Sequence, residues 1–137
     1  MNIILFFSHN LNEDQVNDAK LNLKVDKFIK LDSNLQALFS NVSPEITNLN
    51  DFSKPFLEFL DKTAKKGDYA LIQGDFGLCY ILISYCFKIG VVPIYSTTRR
   101  DVRVDKDGIK VSAFKHVRFR EYENFIFTKE EKWLKKL

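Results

Sequence analysis

The chain is poor in the residues that most often carry site chemistry. Its 137 residues hold two histidines, two cysteines, five glycines and three prolines. The cysteines, Cys79 and Cys86, are seven positions apart and form no CxxC pair, which excludes a zinc ribbon or a dithiol redox motif and leaves two reduced thiols on one helix face. Two histidines more than a hundred positions apart, with Asp75 as the only carboxylate in the nearby loops, make no metal-ligand set. The glycines never assemble a phosphate-binding fingerprint: Gly74-x-x-Gly77 falls well short of the dinucleotide and nucleoside triphosphate patterns. Also missing are an internal repeat, a low-complexity tract, and a basic leader with a cleavage site, so the expected location is cytoplasmic. The apolar stretch from Phe76 to Tyr95 is interrupted by Lys88, Gly90 and Pro93, which excludes a membrane span. A formal charge of +3 is too small for a general duplex-DNA binder, so any anionic partner should be small and held locally.

Hydrophobic residues make up 45% of the chain and charged residues 28%, a globular balance, and this length supports a single core spanning residues 1–137. Thirteen phenylalanines imply that the core is aromatic. Asn2 to Phe7 is a continuous apolar run of the kind buried on both faces in a central parallel strand. Asn12 and Gln15 form a capping-box pattern ahead of Val16, Ala19 and Leu23. A second strand is expected at Lys27 to Leu31, and then a short helix through Leu35, Leu38, Phe39 and Val42 that stops before Pro44. Phe52, Phe56, Leu60 and Ala64 recur every fourth residue, predicting a helix from about Phe52 to Lys65. Tyr69 to Gln73 reads as the third strand, Leu78 to Ile89 as a helix stopped by Gly90, and Val91 to Tyr95 as the fourth strand.

This alternation predicts an α/β, Rossmann-like open sheet, mainly parallel, with right-handed crossovers. Beyond Tyr95 the apolar period shortens to two. Val102 and Val104, an Asp105-Lys106-Asp107-Gly108 turn, then Ile109, Val111 and Ala113 predict a C-terminal β-hairpin over about residues 98–122. A short amphipathic helix is expected over about 128–137.

Open α/β sheets bind ligands beyond the carboxyl ends of their strands. Three segments should meet there: Ser8, His9 and Asn10; Gln73, Gly74, Asp75, Phe76 and Gly77; and a loop of Ser96, Thr97, Thr98, Arg99 and Arg100. Hydroxyls, turn amides and an arginine pair can hold phosphate oxygens, and Phe76 or Gln73 could address a base. The hairpin's return strand adds Lys115, His116 and Arg118. Each also has a plain alternative: a tight turn for Gly74 to Gly77, a helix cap for His9, a solvated loop for the arginine pair and the wet face of a strand for Lys115, Arg118 and Arg120. His116 shares a face with Phe114 and Arg118 only if its strand is regular. Without a metal or cofactor, the chemistry open to such a set is RNA phosphodiester cleavage, in which the adjacent 2′-hydroxyl attacks phosphorus in line and the protein positions, neutralises charge and transfers protons.

Together, FFSHNL near the start, GDYALIQGDFG in the middle, GVVPIYSTTRR after it and FKHVRFREY near the end resemble a small CRISPR-associated protein family of type III systems, in order and over nearly the whole chain. The resemblance implies a CARF-like Rossmann domain that forms a homodimer and binds cyclic oligoadenylate at its strand ends. It further implies a ring nuclease that linearises cyclic tetra-adenylate and so switches off an antiviral signal. The alternative is a sensor or sponge that binds the ring without cutting it. Individual roles rest on the residue chemistry: His9 as proton-transfer group or 2′-hydroxyl positioner, Arg99 and Arg100 as phosphate clamps, and His116 with Lys115 as a second candidate set.

Overall fold

The apolar run after Met1 forms β1, Asn2–Phe6, an interior strand of a five-stranded sheet in the computed structural model, which describes residues 1–127. Its side chains alternate between two cores. Ile4 and Phe6 enter one, while Ile3 and Leu5 enter the other. A strand buried on both faces has to be apolar at every position, which is why the run shows no alternation. Each such large side chain contributes roughly 2 kcal/mol relative to exposure.

The remaining elements follow in βα order. They are α1 (Glu13–Asn22), β2 (Lys27–Lys30), α2 (Ser33–Ser40), α3 (Asn50–Thr63), β3 (Tyr69–Ile72), α4 (Phe76–Ile89), β4 (Val92–Val104) and β5 (Lys110–Glu121). The sheet order is β2-β1-β3-β4-β5, with the first four strands parallel and β5 antiparallel to β4. The expected α/β class, Rossmann-like and mainly parallel with a C-terminal antiparallel hairpin, is thus the observed one. The chain reverses its direction of sheet growth between β1 and β3, so the topological switch point lies between their carboxyl ends.

Local chemistry sets the boundaries. Asn12 accepts the Gln15 N–H at 2.9 Å while the Gln15 side chain accepts the Asn12 N–H, giving the capping box expected for α1. Asp32 and Asp75 cap α2 and α4 in the same way, from the N–H groups of Leu35 and Leu78. Gly90 ends α4 in the left-handed region at φ 77°, as its place after Ile89 predicts. Helices α2, α3 and α4 cover one face of the sheet around Phe6, Phe39 and Phe56, whose rings pack in tilted and edge-on pairs. Against the other face lies α1. Cys79 and Cys86 are free, buried thiols on α4.

The main departure from the expected fold lies beyond Tyr95. Ser96, Thr97, Thr98, Arg99 and Arg100 are not a loop between a fourth strand and a hairpin: they are the middle of one thirteen-residue strand, β4. Only Val92, Pro93 and Ile94 pair with β3. The rest of β4 pairs with β5 alone, forming a two-stranded ribbon that runs on beyond the sheet for about 30 Å at ~3.3 Å per residue. Its tip is the expected Asp105–Gly108 turn, in which Asp105 Oδ1 accepts the N–H groups of Asp107 and Ile109. The register slips between Thr97 and Thr98, leaving Val117 as an extra residue in β5. The helix expected over 128–137 lies outside the described residues.

Candidate functional site

The residues expected to form one strand-end site are divided among several cavities. Ser8, His9 and Asn10 follow β1 and are exposed. They line a cavity of about 310 Å³ with Phe7, Lys30, Ser33 and Gln36, on the β2 side of the switch point. His9 packs edge-on against Phe7 with ring centroids 5.4 Å apart. Gln36 Nε2 donates to the Phe7 carbonyl at 3.0 Å and the Ser40 hydroxyl donates to Ser8 Oγ at 2.9 Å, so this turn is held from α2.

A larger cavity, about 500 Å³, opens on the β3 side. Gln73 and Gly74 form one edge and Phe76, Tyr80 and Ile83 of α4 another, with Cys79, Tyr95 and Tyr122 completing the lining. Phe76, Tyr80 and Ile83 recur at i, i+4 and i+7, one stripe of the helix. Phe76 is 94% exposed and Tyr80 73% exposed, so this stripe is an aromatic surface left uncovered by the fold. Tyr95 and Tyr122 pack as a tilted pair with ring centroids 4.7 Å apart, and Arg120 lies 5.4 Å above the Tyr95 ring while donating to its hydroxyl at 2.9 Å. The Tyr122 hydroxyl donates to the Ile72 carbonyl at 2.7 Å, and burial, followed by Cys79 and Tyr95, pushes its pKa up to about 12. Gly74 is required by packing: a Cβ there would sit 2.7 Å from Cζ of Phe39. Asp75, expected near a ligand, spends its carboxylate on the α4 cap, and a Cβ on Gly77 would meet Leu49 at 3.0 Å.

His116 stands apart from both cavities. It is 7% exposed, with Nε2 2.7 Å from Asp18 Oδ2 and Nδ1 2.5 Å from Ser96 Oγ. The backbone fixes the orientation of the Gln15 amide at the start of this row. The Asn12 N–H can only donate, so Gln15 Oε1 accepts it and Gln15 Nε2 must donate onward to Ser96 Oγ, at 3.4 Å. Ser96 Oγ also meets His116 Nδ1, and because the Asp18 carboxylate can only accept, Nε2 donates to it. Asp18 Oδ2 also accepts the Phe119 N–H at 3.1 Å and Oδ1 accepts from Asn22 at 2.6 Å. Burial pushes the Asp18 pKa up, but the hydrogen bonds from Asn22, His116 and Phe119, with the charge interaction of His116, outweigh it and hold the carboxyl below its ordinary value.

Carboxylate, imidazole and hydroxyl in a row are the parts of a nucleophilic triad. Here Ser96 Oγ is engaged by Gln15 and lines none of these cavities, so the row acts as a clasp between α1 and the ribbon. The extra residue Val117 makes the clasp possible. It brings His116 and Phe119 to the same side, with ring centroids 4.6 Å apart, rather than His116 and Arg118. The strand is not regular here, so the condition for His116 and Arg118 to share a face is not met. The Thr97 hydroxyl is committed to the bulge, donating to the Arg118 carbonyl at 2.8 Å and accepting the Arg118 N–H at 3.1 Å.

Lys115 lines a cavity of about 440 Å³ with Asp14, Asp101, Arg103 and one edge of His116, whereas Arg118 lines a separate one beside Asp18. Arg99 pairs across the ribbon with Lys115, and Arg100 Nε donates to Ser112 Oγ at 2.7 Å. Neither arginine lines any of these cavities, and Thr98 sits exposed beside them. Among the described residues, no three His, Cys, Asp or Glu side chains are grouped to hold a metal ion, and no helix is long and apolar enough to cross a membrane.

The sequence matches the model of the family described as "Uncharacterized protein MJ1673 family" over residues 1–120. The chain belongs to the MJ1673 family. It is similar to the protein of that name from Methanocaldococcus jannaschii, at 48% identity over 126 residues that span 90% of this chain and 98% of the relative. No solved structure matches it. The family match takes in β1 through most of β5, so the clasp and the lining of both strand-end cavities, apart from Tyr122, lie within the matched residues.

Sequence reasoning missed Asp18, Gln15, Tyr80, Tyr95 and Tyr122. Two signals were available. Gln15, Asp18 and Asn22 place polar groups at i, i+3 and i+7 on a helix whose only fully buried apolar residue is Ala19, a pattern that demands polar partners across the interface. Tyr80 follows Phe76 by four positions on α4, a spacing that puts both rings on one face.

Proposed function

We propose that this protein binds cyclic oligoadenylate and linearises it by metal-independent attack of the ribose 2′-hydroxyl on the scissile phosphate. The observation that carries this reading is the uncovered aromatic cavity beside Gln73 and Gly74, at the carboxyl edge of a parallel sheet. A purine base needs a flat apolar surface with a few polar contacts, and the cavity volume falls in the range of small-molecule sites. The ribbon that carries Tyr95 supplies the charge: Arg120 lies on the Tyr95 ring, and Arg99, Arg100, Lys115 and Arg118 are exposed further along it. The resemblance of the four motifs to the CRISPR-associated family supplies the substrate class, a cyclic tetra-adenylate, and a cytoplasmic homodimer whose two-fold axis would match a ring with the same symmetry.

In this mechanism the 2′-oxygen bonds to phosphorus as the bond from phosphorus to the 5′-oxygen breaks. The 2′-hydroxyl proton passes to a base and the departing 5′-oxygen takes one up, leaving a 2′,3′-cyclic phosphate and a 5′-hydroxyl. His9 is the exposed imidazole at the strand ends and is the residue assigned to proton transfer. Arg99 and Arg100 neutralise the phosphate, and His116 acts through Ser96 and β4 as a positioning residue.

A second reading, sequestration without cleavage, is favoured by one feature. His9 and the aromatic cavity lie in different hollows on opposite sides of the switch point. Replacing His9 by Ala separates the two. Retained ring binding with cleavage lost supports the nuclease; a wild type that binds and never cleaves supports the sponge. Turnover of unstructured linear RNA at the rate of the ring would overturn both.

A further inference from the structure

Gln73 is held from both ends. Its backbone N–H donates to the Phe6 carbonyl of β1 at 3.1 Å, and its side-chain oxygen accepts the Ser96 N–H of β4 at 2.7 Å. A backbone N–H has no acceptor capacity, so the atom facing Ser96 must be Oε1, and the amide orientation is fixed by chemistry. Nε2 then points away from Ser96. Among the described residues it has no protein partner and is open to solvent, and Gln73 lines the aromatic cavity. The cavity therefore contains one fixed, unspent pair of N–H donors beside aromatic walls left open to solvent, where Phe76 is the most exposed large apolar side chain of the described chain.

We propose that this cavity is the base subsite and that Gln73 is its reading residue, donating from Nε2 to a ring-nitrogen acceptor on the edge of an adenine stacked against Phe76 and Tyr80. The inference rests on the reading that the ligand is an adenylate. The donor is aimed from two strands at once, so reorientation would break the Ser96 bond. Gln73 is set to contact ligand and takes no part in proton transfer. The clasp contributes indirectly: Ser96, tied to His116 and Gln15 through its hydroxyl, holds the N–H that orients the amide.

The test is equilibrium binding of adenylyl-(3′→5′)-adenosine to the full chain, with analogues in which both adenines are 1-deaza, 3-deaza or 7-deaza. Gln73→Glu preserves the acceptor for the Ser96 N–H and converts the donor into a second acceptor. Its melting temperature should match the wild type, while the dinucleotide should bind roughly tenfold more weakly. One deaza analogue should bind the wild type roughly tenfold more weakly as well, and Gln73→Glu should no longer distinguish it from the parent. A bare charge effect would instead weaken parent and analogues alike while preserving the discrimination, and would overturn the assignment. Tyr80→Ala, at an exposed position, should weaken the parent by about tenfold through lost stacking. Wild-type affinity indifferent to all three deaza changes, or no dinucleotide binding at millimolar concentration, also overturns it. The outcomes are separable from those of the nuclease reading. A wild type that leaves the cyclic ring intact but shows the deaza pattern sinks the nuclease and keeps the subsite; cleavage with Gln73→Glu binding as wild type sinks the subsite and keeps the nuclease.

Discussion

Replacing Asp18 by Ala would remove one carboxylate that serves three donors in two elements: His116 Nε2 at 2.7 Å and the Phe119 N–H at 3.1 Å in β5, and Asn22 Nδ2 at 2.6 Å in α1. Asn22 is exposed and recovers its bond from water. His116 and Phe119 are buried, and each donor left without a partner costs about 1–3 kcal/mol. The Asp18 side chain is 12% exposed, and the adjoining hollow lined by Asn22, Leu23 and Arg118 can admit water to part of the vacated space. The expected loss is thus nearer the low end of the sum, about 2–3 kcal/mol. With a urea dependence of ~2 kcal/mol per molar, the midpoint should fall by about 1–1.5 M. Urea titration followed by tyrosine and tryptophan fluorescence measures it. The pH dependence gives a second reading. The folded Asp18 carboxyl titrates below its unfolded value, so its contribution is complete above the ordinary carboxylate pKa and disappears as pH falls through the lowered one. Asp18→Asn should therefore flatten the stability curve on the acid side and leave its shape near neutrality unchanged. A loss below about 0.5 kcal/mol for Asp18→Ala would refute the claim that the row from Gln15 to Asp18 clasps the ribbon to the body.

Other consequences follow from packing and burial. Gly74→Ala would force a methyl against the buried Phe39 ring and should destabilise by about 1–3 kcal/mol; a melting temperature equal to wild type would show that the ring has room to move. Gly90→Ala puts a Cβ in the left-handed region and against Lys66, so it should cost about 1–2 kcal/mol, read in the same assay. Burial pushes Cys79 up to about 11 and Cys86 to about 12, so a thiol reagent at pH 8 should react slowly with native protein and label two thiols per chain in denaturant.

The parts of the fold legible in the sequence are those where burial acts on every position. The runs of β1 and β3 have cores on both faces, and the caps at Asn12 and Gly90 satisfy local backbone geometry, so each is written in adjacent residues. Ser96 to Arg100 was misread because the usual strand signal is a burial pattern. This segment pairs with β5 alone beyond the sheet, and both of its faces can be polar while its backbone remains fully paired. The bulge at Val117 is a property of two strands in register and leaves no mark in one of them. The Asp18–His116 contact spans 98 positions, and nothing local to either residue names the other. Of the candidate site, the sequence located the strand-end loops but not their separation. Gln73, Gly74 and Phe76 were found because they sit in a glycine-marked turn, whereas Tyr95 and Tyr122 become neighbours only through the antiparallel return of β5.

Ring cleavage is tested by incubating the purified protein with radiolabelled cyclic tetra-adenylate in EDTA and resolving the products against linear standards. Linear oligoadenylate ending in a 2′,3′-cyclic phosphate and a 5′-hydroxyl is the predicted result. A ring recovered intact after prolonged incubation with stoichiometric protein would contradict it.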